Sequence, residues 1–468
     1  MISLGCAKNT VDSESMAQLL EASGYRPVDE VKNAQVLIVN TCGFIGPARD
    51  ESLQVLAEMA AAKRNGQLLI AAGCLTQRYG AEVLRQVPGI DGLLGTRRWM
   101  DIVDVVQTLR AGKHPQPLFH LPDTATVGTD EHGAMQVAIQ GTSAYIKIAD
   151  GCRRPCAFCA IPLIKGSAVS RPPEVILTEA RTLQEKGVKE VILIAQDTTD
   201  YGHDLGMHDG LAQLLEKLLK VAPDIPWIRL MYAYPGYVTD RLVEVMASNP
   251  QILPYLDMPL QHAHPNVLRR MRRPANLDWV YRTLEKMRLA MPDLALRTTF
   301  IVGYPGETED EFQTLLDFVK EIRFDHLGAF QFSFEPGTTS EPLGDPVSPE
   351  TKQERWERLM ELQQGISLQK NQAIVGKSLD VLVEGHGALQ DEKTASRKVG
   401  RIAIGRTYRD APEIDGMVVI EGDAPVGEIV SVRISGAMPY DLSGVIEASK
   451  TTVPPAEKFT PAKIEKTT

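Results

Sequence analysis

The sequence predicts an α/β protein in three parts: an N-terminal α/β unit on a small parallel sheet, a central partial (β/α)6 barrel, and a small C-terminal antiparallel β-barrel. Three observations carry this. Over residues 1–112, short apolar runs alternate with helical stretches. From 138 to 375, six such strand–helix repeats follow one another. From 376 to 444 the helices stop and short β-rich runs broken by turn residues take over. Alternating strands and helices signal a parallel sheet; short, closely spaced strands signal a barrel or sandwich.

In the first unit, Ile2–Leu4, Val36–Val39 and Leu68–Ala72 read as buried strands. Asn9 or Thr10 is placed to cap a helix that Gly24 stops. Further helices fit Arg49–Arg64, Gly80–Gln86 (stopped by Pro88-Gly89) and Trp99–Leu109. Residues 113–137 hold three prolines and no periodicity, and read as a linker. The central strands are Ala144–Ala149, Glu190–Ala195, Trp227–Met231, Tyr255–Leu260, Leu296–Val302 and Leu327–Phe332. Helices Pro173–Lys186, Gly210–Val221, Asp240–Ser248, Leu277–Ala290 and Glu307–Ile322 separate or follow them, and Arg355–Lys370 closes the part. Glu307–Ile322 is the clearest, with Phe312, Leu315, Leu316 and Val319 on one face and acids in its first turn. The terminal barrel is read from Ser378–Val383, Val399–Ile404, Met417–Ile420 and Glu428–Ile434. Residues 445–468, rich in Pro, Thr, Lys and Glu, read as a disordered tail.

The chain has 468 residues, 43% hydrophobic and 24% charged, enough for more than one core. No apolar run reaches the ~18 residues of a membrane span. No signal peptide opens the sequence, which predicts a cytoplasmic protein. Met1 leads abruptly into the first strand, which points to a few native residues missing upstream. Six cysteines without a secretory signal argue for metal binding in a reducing compartment rather than a disulfide scaffold. A net charge of −10, with −3 on residues 376–444, disfavours a nucleic-acid backbone and suits a basic protein partner.

The cysteines fall into two sets of three. Cys152, Cys156 and Cys159 form C-x3-C-x2-C just past the first central strand, where catalytic loops of such barrels belong. Three thiolates do not complete a tetrahedral zinc site. On a 4Fe–4S cluster they leave one iron open. The alternative is a zinc knuckle completed by His203 or His208, though neither has finger-like spacing. With Phe158 before the last cysteine, the triplet resembles the signature of radical S-adenosylmethionine (SAM) enzymes. Cys6, Cys42 and Cys74 each sit just past an apolar run. Ligands of open parallel sheets bind at such strand ends, so three strands can bring three thiolates to one point. The alternative is three ordinary buried cysteines.

Three cysteines on an α/β unit, a radical triplet in a partial barrel and a terminal β-barrel together resemble the methylthiotransferases, nearly throughout residues 1–444. The strings Ser3-Leu4-Gly5-Cys6-Ala7-Lys8-Asn9, Gln196-Asp197-Thr198-Thr199-Asp200-Tyr201-Gly202, Pro259-Leu260-Gln261-His262-Ala263 and Asp410-Ala411-Pro412-Glu413-Ile414-Asp415-Gly416 are similar to the ribosomal branch, the RimO type. The resemblance implies a terminal TRAM domain and two 4Fe–4S clusters, an auxiliary one on Cys6, Cys42 and Cys74 and a radical one on Cys152, Cys156 and Cys159. It implies that SAM is cleaved to a radical that takes hydrogen from an unactivated carbon, and that a methylated sulfur is delivered there from the auxiliary cluster. The substrate it implies is an aspartate of small-subunit ribosomal protein S-twelve, with an electron donor and a sulfur source as further partners. For SAM, Phe158, Gln196, Asp197, Gln261, Arg297 and Gly303 are the candidate contacts: Gln196 and Asp197 for the amino group, Gln261 for ribose or carboxylate, Arg297 for the carboxylate, and the Gly303–Gly306 turn for adenine. Gln196, Gln261 and Arg297 also read as structural hydrogen bonds or solvated strand ends, and the Gly303–Gly306 turn as a plain strand-to-helix connection capped by Glu307 and Thr308. Glu413 and Asp415 are expected on an acidic face that meets the substrate. Two rivals stay open: a transfer RNA methylthiotransferase, and a non-enzymatic iron–sulfur or zinc protein.

Overall fold

Five parallel strands in sequential order open the chain: β1 (Ile2–Ser3), β2 (Val36–Thr41), β3 (Leu68–Gly73), β4 (Gly92–Gly95) and β5 (Leu118–His120). The computed structural model describes residues 1–112, 117–388 and 401–447. Helices α1 (Ala7–Ala22), α2 (Gly46–Ala62), α3 (Cys74–Tyr79), α4 (Ala81–Gln86) and α5 (Ile102–Ala111) cover the sheet. Two departures from the sequence reading matter. The predicted Gly80–Gln86 helix is α4, and a short helix that the sequence reading did not place, α3, opens on Cys74 just before it. And α1 begins at Ala7, so neither Asn9 nor Thr10 caps it. The Asn9 amide instead donates to Leu4 O (2.9 Å) and Thr41 O (3.0 Å), tying the end of β1 to the end of β2.

The stretch read as a linker is mostly irregular, but each end enters a sheet. Leu118–His120 is an edge strand of the first sheet, and Val137 begins β6 (Val137–Gln140), which pairs antiparallel with β7 (Ser143–Lys147). Residues 113–116 of that stretch lie outside the described residues. A short ribbon of β8 (Ala149–Asp150) and β9 (Val169–Ser170) brackets the cysteine triplet, with α6 (Ile161–Lys165) inside it. Then follow α7 (Pro173–Glu185), β10 (Glu190–Ile194), α8 (Gly210–Val221), β11 (Trp227–Leu230), α9 (Asp240–Ser248) and β12 (Tyr255–Asp257). After α10 (Pro265–Arg270) and α11 (Leu277–Ala290) come β13 (Ala295–Val302), α12 (Glu309–Ile322), β14 (His326–Gln331) and α13 (Pro349–Gln372). β7, β10 and β11 form one parallel ladder, β12, β13 and β14 another. An isolated Ile228–Ile252 bridge links them, which makes an open barrel of six parallel strands. α12 starts on a capping box: Thr308 accepts from Glu311 N, and the Glu311 carboxylate takes Thr308 N. Its predicted face is buried, each large side chain contributing about 2 kcal/mol.

The terminal part is a closed barrel of β15 (Ser378–Ala388), β16 (Arg401–Thr407), β17 (Val418–Glu421), β18 (Ile429–Ala437) and β19 (Leu442–Ile446), in the order β15-β16-β17-β19-β18. The sequence reading of an all-antiparallel barrel missed β19, which pairs parallel with β17. A glycine in a short strand hid it: a Cβ on Gly444 would lie 2.7 Å from Arg433 O. Val445 and Ile446 therefore belong to the barrel rather than to the tail, whose remaining residues 448–468 lie outside the described part. Residues 399–400 of the predicted second strand also lie outside it.

The three parts meet at opposite rims of the central barrel. The terminal barrel seats on residues at the starts of the strands: Arg406 reaches Ser143 and Glu190, and Asp415 reaches Tyr255 and Arg297. The N-terminal unit seats on their far ends, where Lys8 meets Ala195 and Cys74 packs with Ala160 and Ile164.

Candidate active site

All six cysteines are free thiols, in two groups. Cys6, Cys42 and Cys74 follow β1, β2 and β3, as their apolar contexts indicated. Cys42 and Cys74 are close enough to Cys6, and Cys74 to Cys42, for their charges to interact. Two features of the backbone allow this approach. Gly5, at φ +90°, faces Cys42: a Cβ there would lie 3.1 Å from its sulfur. Asn9 binds the first two strand ends, and its Oδ1 lies 3.7 Å from the Cys74 sulfur. Burial pushes the Cys42 and Cys74 thiols up, most strongly for the fully enclosed Cys74, where the neighbouring Lys165 opposes it. Cys6 is exposed.

The second triplet lies on a loop held at several points. Cys152 N donates to Gly166 O (3.0 Å), and Ala157 N to Met271 O (2.9 Å). Gly151 is at φ +77°, and a Cβ there would sit 2.2 Å from Ser167 O, so no other residue fits. The loop's own arginines are taken up by carboxylates. Arg153 pairs with Asp200 (2.7 Å), and Arg154 with Asp197 (2.6 Å) while stacking on Tyr237 at 3.5 Å. Burial pushes the Cys152 thiol to about 11 and that of Cys159 to about 12. Such thiols give up their protons to a cationic metal centre rather than to water. Among the described residues, no three His, Cys, Asp or Glu side chains close on a single metal ion. Two separated triplets of free, soft thiol donors, each with backbone cleared around it, fit iron–sulfur clusters.

Between the triplets lies a buried quartet. Asp12 of α1 bonds both Lys147 and Lys165 (3.2 Å), and Asp150 bonds Lys147 (3.1 Å) and Lys165 (2.8 Å). Burial alone would raise the Asp150 carboxyl, but the two ammonium groups outweigh it and hold it well below the usual carboxylate range. Its other oxygen accepts from Gly151 N (3.1 Å) and from the Gln196 amide (3.0 Å). One carboxylate thus fixes both the start of the cysteine loop and the side chain at the end of β10.

The candidate SAM contacts divide. Among the described residues, Gln196 and Gln261 each carry a buried amide oxygen with no hydrogen-bond partner. Gln261 also holds φ +73°, rare and strained for a non-glycine residue. Arg297 is not free to meet a carboxylate, because it is spent on Asp257 (3.0 Å) and Asp415 (3.2 Å) at the opposite rim. Asp197 is likewise committed, one oxygen to Arg154 and the other to Thr199 (2.5 Å). Gly303, at φ +70°, makes room for a neighbouring side chain: a Cβ there would lie 2.4 Å from Lys352. Phe158 packs its ring against Val267, Met271, Tyr304 and Phe332, anchoring the loop. On the terminal barrel, Asp410 is buried and the carboxylate of the half-buried Asp415 is enclosed by its partners, which removes Asp415 from the expected acidic face; Glu413 accepts from Gln140 (3.0 Å) at the surface.

Sequence reasoning missed three groups. Arg273 brings a guanidinium to the second triplet, Nη1 lying 3.5 Å from the Cys156 sulfur and Nε unpaired. It stands 117 residues from Cys156, with no local signal. Asn9 and Lys8 sat beside Cys6 in plain view; a polar residue two or three positions past a strand-end cysteine was the available sign.

Comparison with known proteins agrees with this layout. The Radical SAM superfamily model matches residues 146–319, the uncharacterized protein family UPF0004 residues 1–95, and the TRAM domain residues 375–446. A solved structure, the radical S-adenosylmethionine methyltransferase TsrM from Kitasatospora setae with cobalamin and a [4Fe-4S] cluster bound, shares the fold at a TM-score of 0.53 and 12% identity, over 83% of this chain and 78% of that one. Ribosomal protein uS12 methylthiotransferase RimO of Roseiflexus sp. (strain RS-1) is 48% identical, over 96% of this chain and 97% of its own length. The protein of the same name from Chloroflexus aurantiacus is 48% identical over 95% and 98%. With nearly half of its residues shared along nearly all of its length, the chain belongs to the RimO family of radical SAM methylthiotransferases.

Proposed function

We propose that this chain inserts a methylthio group at the β-carbon of an aspartate of ribosomal protein uS12. The carrying observation is the packing of Cys74, from the first cysteine set, against Ala160 and Ile164, which directly follow Cys159 of the second. Two thiol triplets on one junction suit a reaction that removes hydrogen at one centre and delivers sulfur from another. The names of the relatives supply the substrate.

In this reading Cys152, Cys156 and Cys159 hold the radical cluster, and Cys6, Cys42 and Cys74 the auxiliary one. When bound, the clusters and SAM supply one-electron chemistry able to take hydrogen from an unactivated carbon, and an open iron at which sulfur is held. The chain's residues orient and enclose. The unpaired oxygens of Gln196 and Gln261 accept from SAM's amino and hydroxyl groups. Arg273, beside Cys156, takes over the carboxylate role expected of Arg297. Asp197 acts one step back, fixing Arg154 and the loop. Units 1–112, 138–375 and 376–444 then carry sulfur delivery, radical generation and closure of the barrel's lower rim. A reductant and a sulfur source complete the system.

The test is incubation of reduced, reconstituted protein with sulfide and SAM, separately with uS12 and with bulk transfer RNA. A methylthio mass gain on a uS12 aspartate is expected. The same gain on RNA nucleosides, with uS12 untouched, overturns the reading.

A further inference from the structure

Among the described residues, Lys8 is a cation with no anionic partner in bonding range. Its Nζ lies 3.4 Å from Ala195 O, at the limit of a hydrogen bond, and 3.4 Å from the centroid of the Tyr232 ring. Tyr232 itself holds φ +63°, a strained backbone that presents the ring face. Among the described residues, Lys8 makes no ion pair. The charged and titratable groups around it are Cys6, Asp257, Lys165 and Asp150. Both acids are already spoken for. Asp257 accepts from Arg297 (3.0 Å) and from Tyr232 N (3.1 Å). Asp150 accepts from Lys147, Lys165, Gln196 and Gly151. A half-buried ammonium with unfilled donors is costly unless something anionic completes it.

Its position names the something. Lys8 stands two residues past Cys6 and over the ends of β10 and β11, at the rim where the N-terminal unit meets the central barrel. The β-carbon of an aspartate is one bond from its carboxylate. We propose that the Lys8 ammonium is the positioning group for the carboxylate of the substrate aspartate, holding the β-carbon between the two cysteine sets. This rests on the uS12 reading above. The methionine carboxylate of SAM is the less fitting occupant, since Lys8 lies on the Cys6 side and Arg273 on the Cys156 side.

The test uses the full, cluster-reconstituted chain with SAM but no reductant, so that binding is read without turnover. Affinities are measured for uS12 and for uS12 with its target aspartate changed to Asn. The native chain is expected to prefer the aspartate form by about ten-fold or more, as for a desolvated charge pair. Lys8→Met should lose that preference, and Lys8→Arg should keep most of it at unchanged iron content. If Lys8→Met still prefers aspartate as the native chain does, or weakens SAM instead of uS12, the assignment is wrong. If the native chain methylthiolates transfer RNA and not uS12, the functional reading fails first and takes this one with it.

Discussion

Where its strands begin, the central barrel meets the TRAM barrel through matched charges: Glu190 with Arg229 (2.7 Å) and Arg406 (2.6 Å), Asp325 with Arg409 (3.0 Å), Asp415 with Arg297 (3.2 Å) and Tyr255 (2.7 Å). Where they end, against the N-terminal unit, partners are missing. Among the described residues, Gln196, Gln261, His262 and Arg273 each keep a buried polar atom without a hydrogen bond, Lys8 makes no ion pair, and Gln261 and Tyr232 hold positive φ; the lower rim has fewer such exceptions, Gln363 Oε1 near Asp325 and Glu413 at φ +68°. Native proteins pair nearly all buried polar groups, so a cluster of exceptions marks a place built for something to bind. The lower rim closes the barrel; the upper rim leaves more groups open to a ligand. The quartet of Asp12, Lys147, Asp150 and Lys165 is the part of the upper rim that is complete, and it is the part that fixes the cysteine loop.

The largest effect that would break this contrast lies at the upper rim. Replacing Cys152, Cys156 and Cys159 by Ala should abolish SAM cleavage and halve the iron, from about eight to about four per chain for two cubanes. Replacing Cys6, Cys42 and Cys74 should instead abolish methylthiolation while 5′-deoxyadenosine still forms. Iron analysis and product assays check both. Unchanged iron in the first variant, or stoichiometric zinc in the native protein, would refute the two-cluster reading.

The lower rim should answer in stability. Arg406→Met leaves Glu190 buried with one arginine, a loss of about 3–5 kcal/mol for a broken buried pair. Limited proteolysis should then release the terminal barrel first, since multidomain chains do not unfold as one unit. Acid should act on the same bonds. Burial alone would raise the Glu190 carboxyl, but Arg229 and Arg406 hold it down at about 2. Its folded pKa being depressed, the stabilisation is full above its ordinary value near 4.5 and fades as pH falls toward 2. A terminal barrel that stays docked at pH 2 would show that Glu190 does not hold this junction.

These two rims were not equally legible. Periodicity placed the six central strands and most helices within a few residues, because each is a continuous apolar signal such as Glu190–Ala195. The cysteine sets were legible for the same reason, since strand ends in parallel sheets are where ligands gather. β19 was not, because five residues with a glycine carry too little pattern. Partner choice was the harder problem. Arg297 and Asp415 look like a SAM contact and a surface acid until tertiary structure pairs them, and Arg273 reaches Cys156 only through the fold. Net charge misled for the same reason: Asp410 and Asp415 are neutralised inside the junction and add little to the field a substrate meets.

The smallest effect sharpens the contrast best, because it sets stability against function at one residue. Gln261 sits at φ +73° and carries an amide oxygen with no partner. Glycine tolerates that backbone without strain, so Gln261→Gly should relieve about 1 kcal/mol of strain, although part of this is offset by the greater freedom of glycine in the unfolded chain. It also removes the unpaired buried oxygen, which costs about 1–3 kcal/mol where it stands. The variant should therefore melt at or slightly above the native temperature. SAM affinity should fall by about ten-fold, the worth of one good hydrogen bond to a bound ligand. Calorimetry on reconstituted protein and equilibrium binding of SAM measure the two changes. A residue placed for folding would lose stability and leave SAM unaffected; a residue held in strain for a ligand does the reverse.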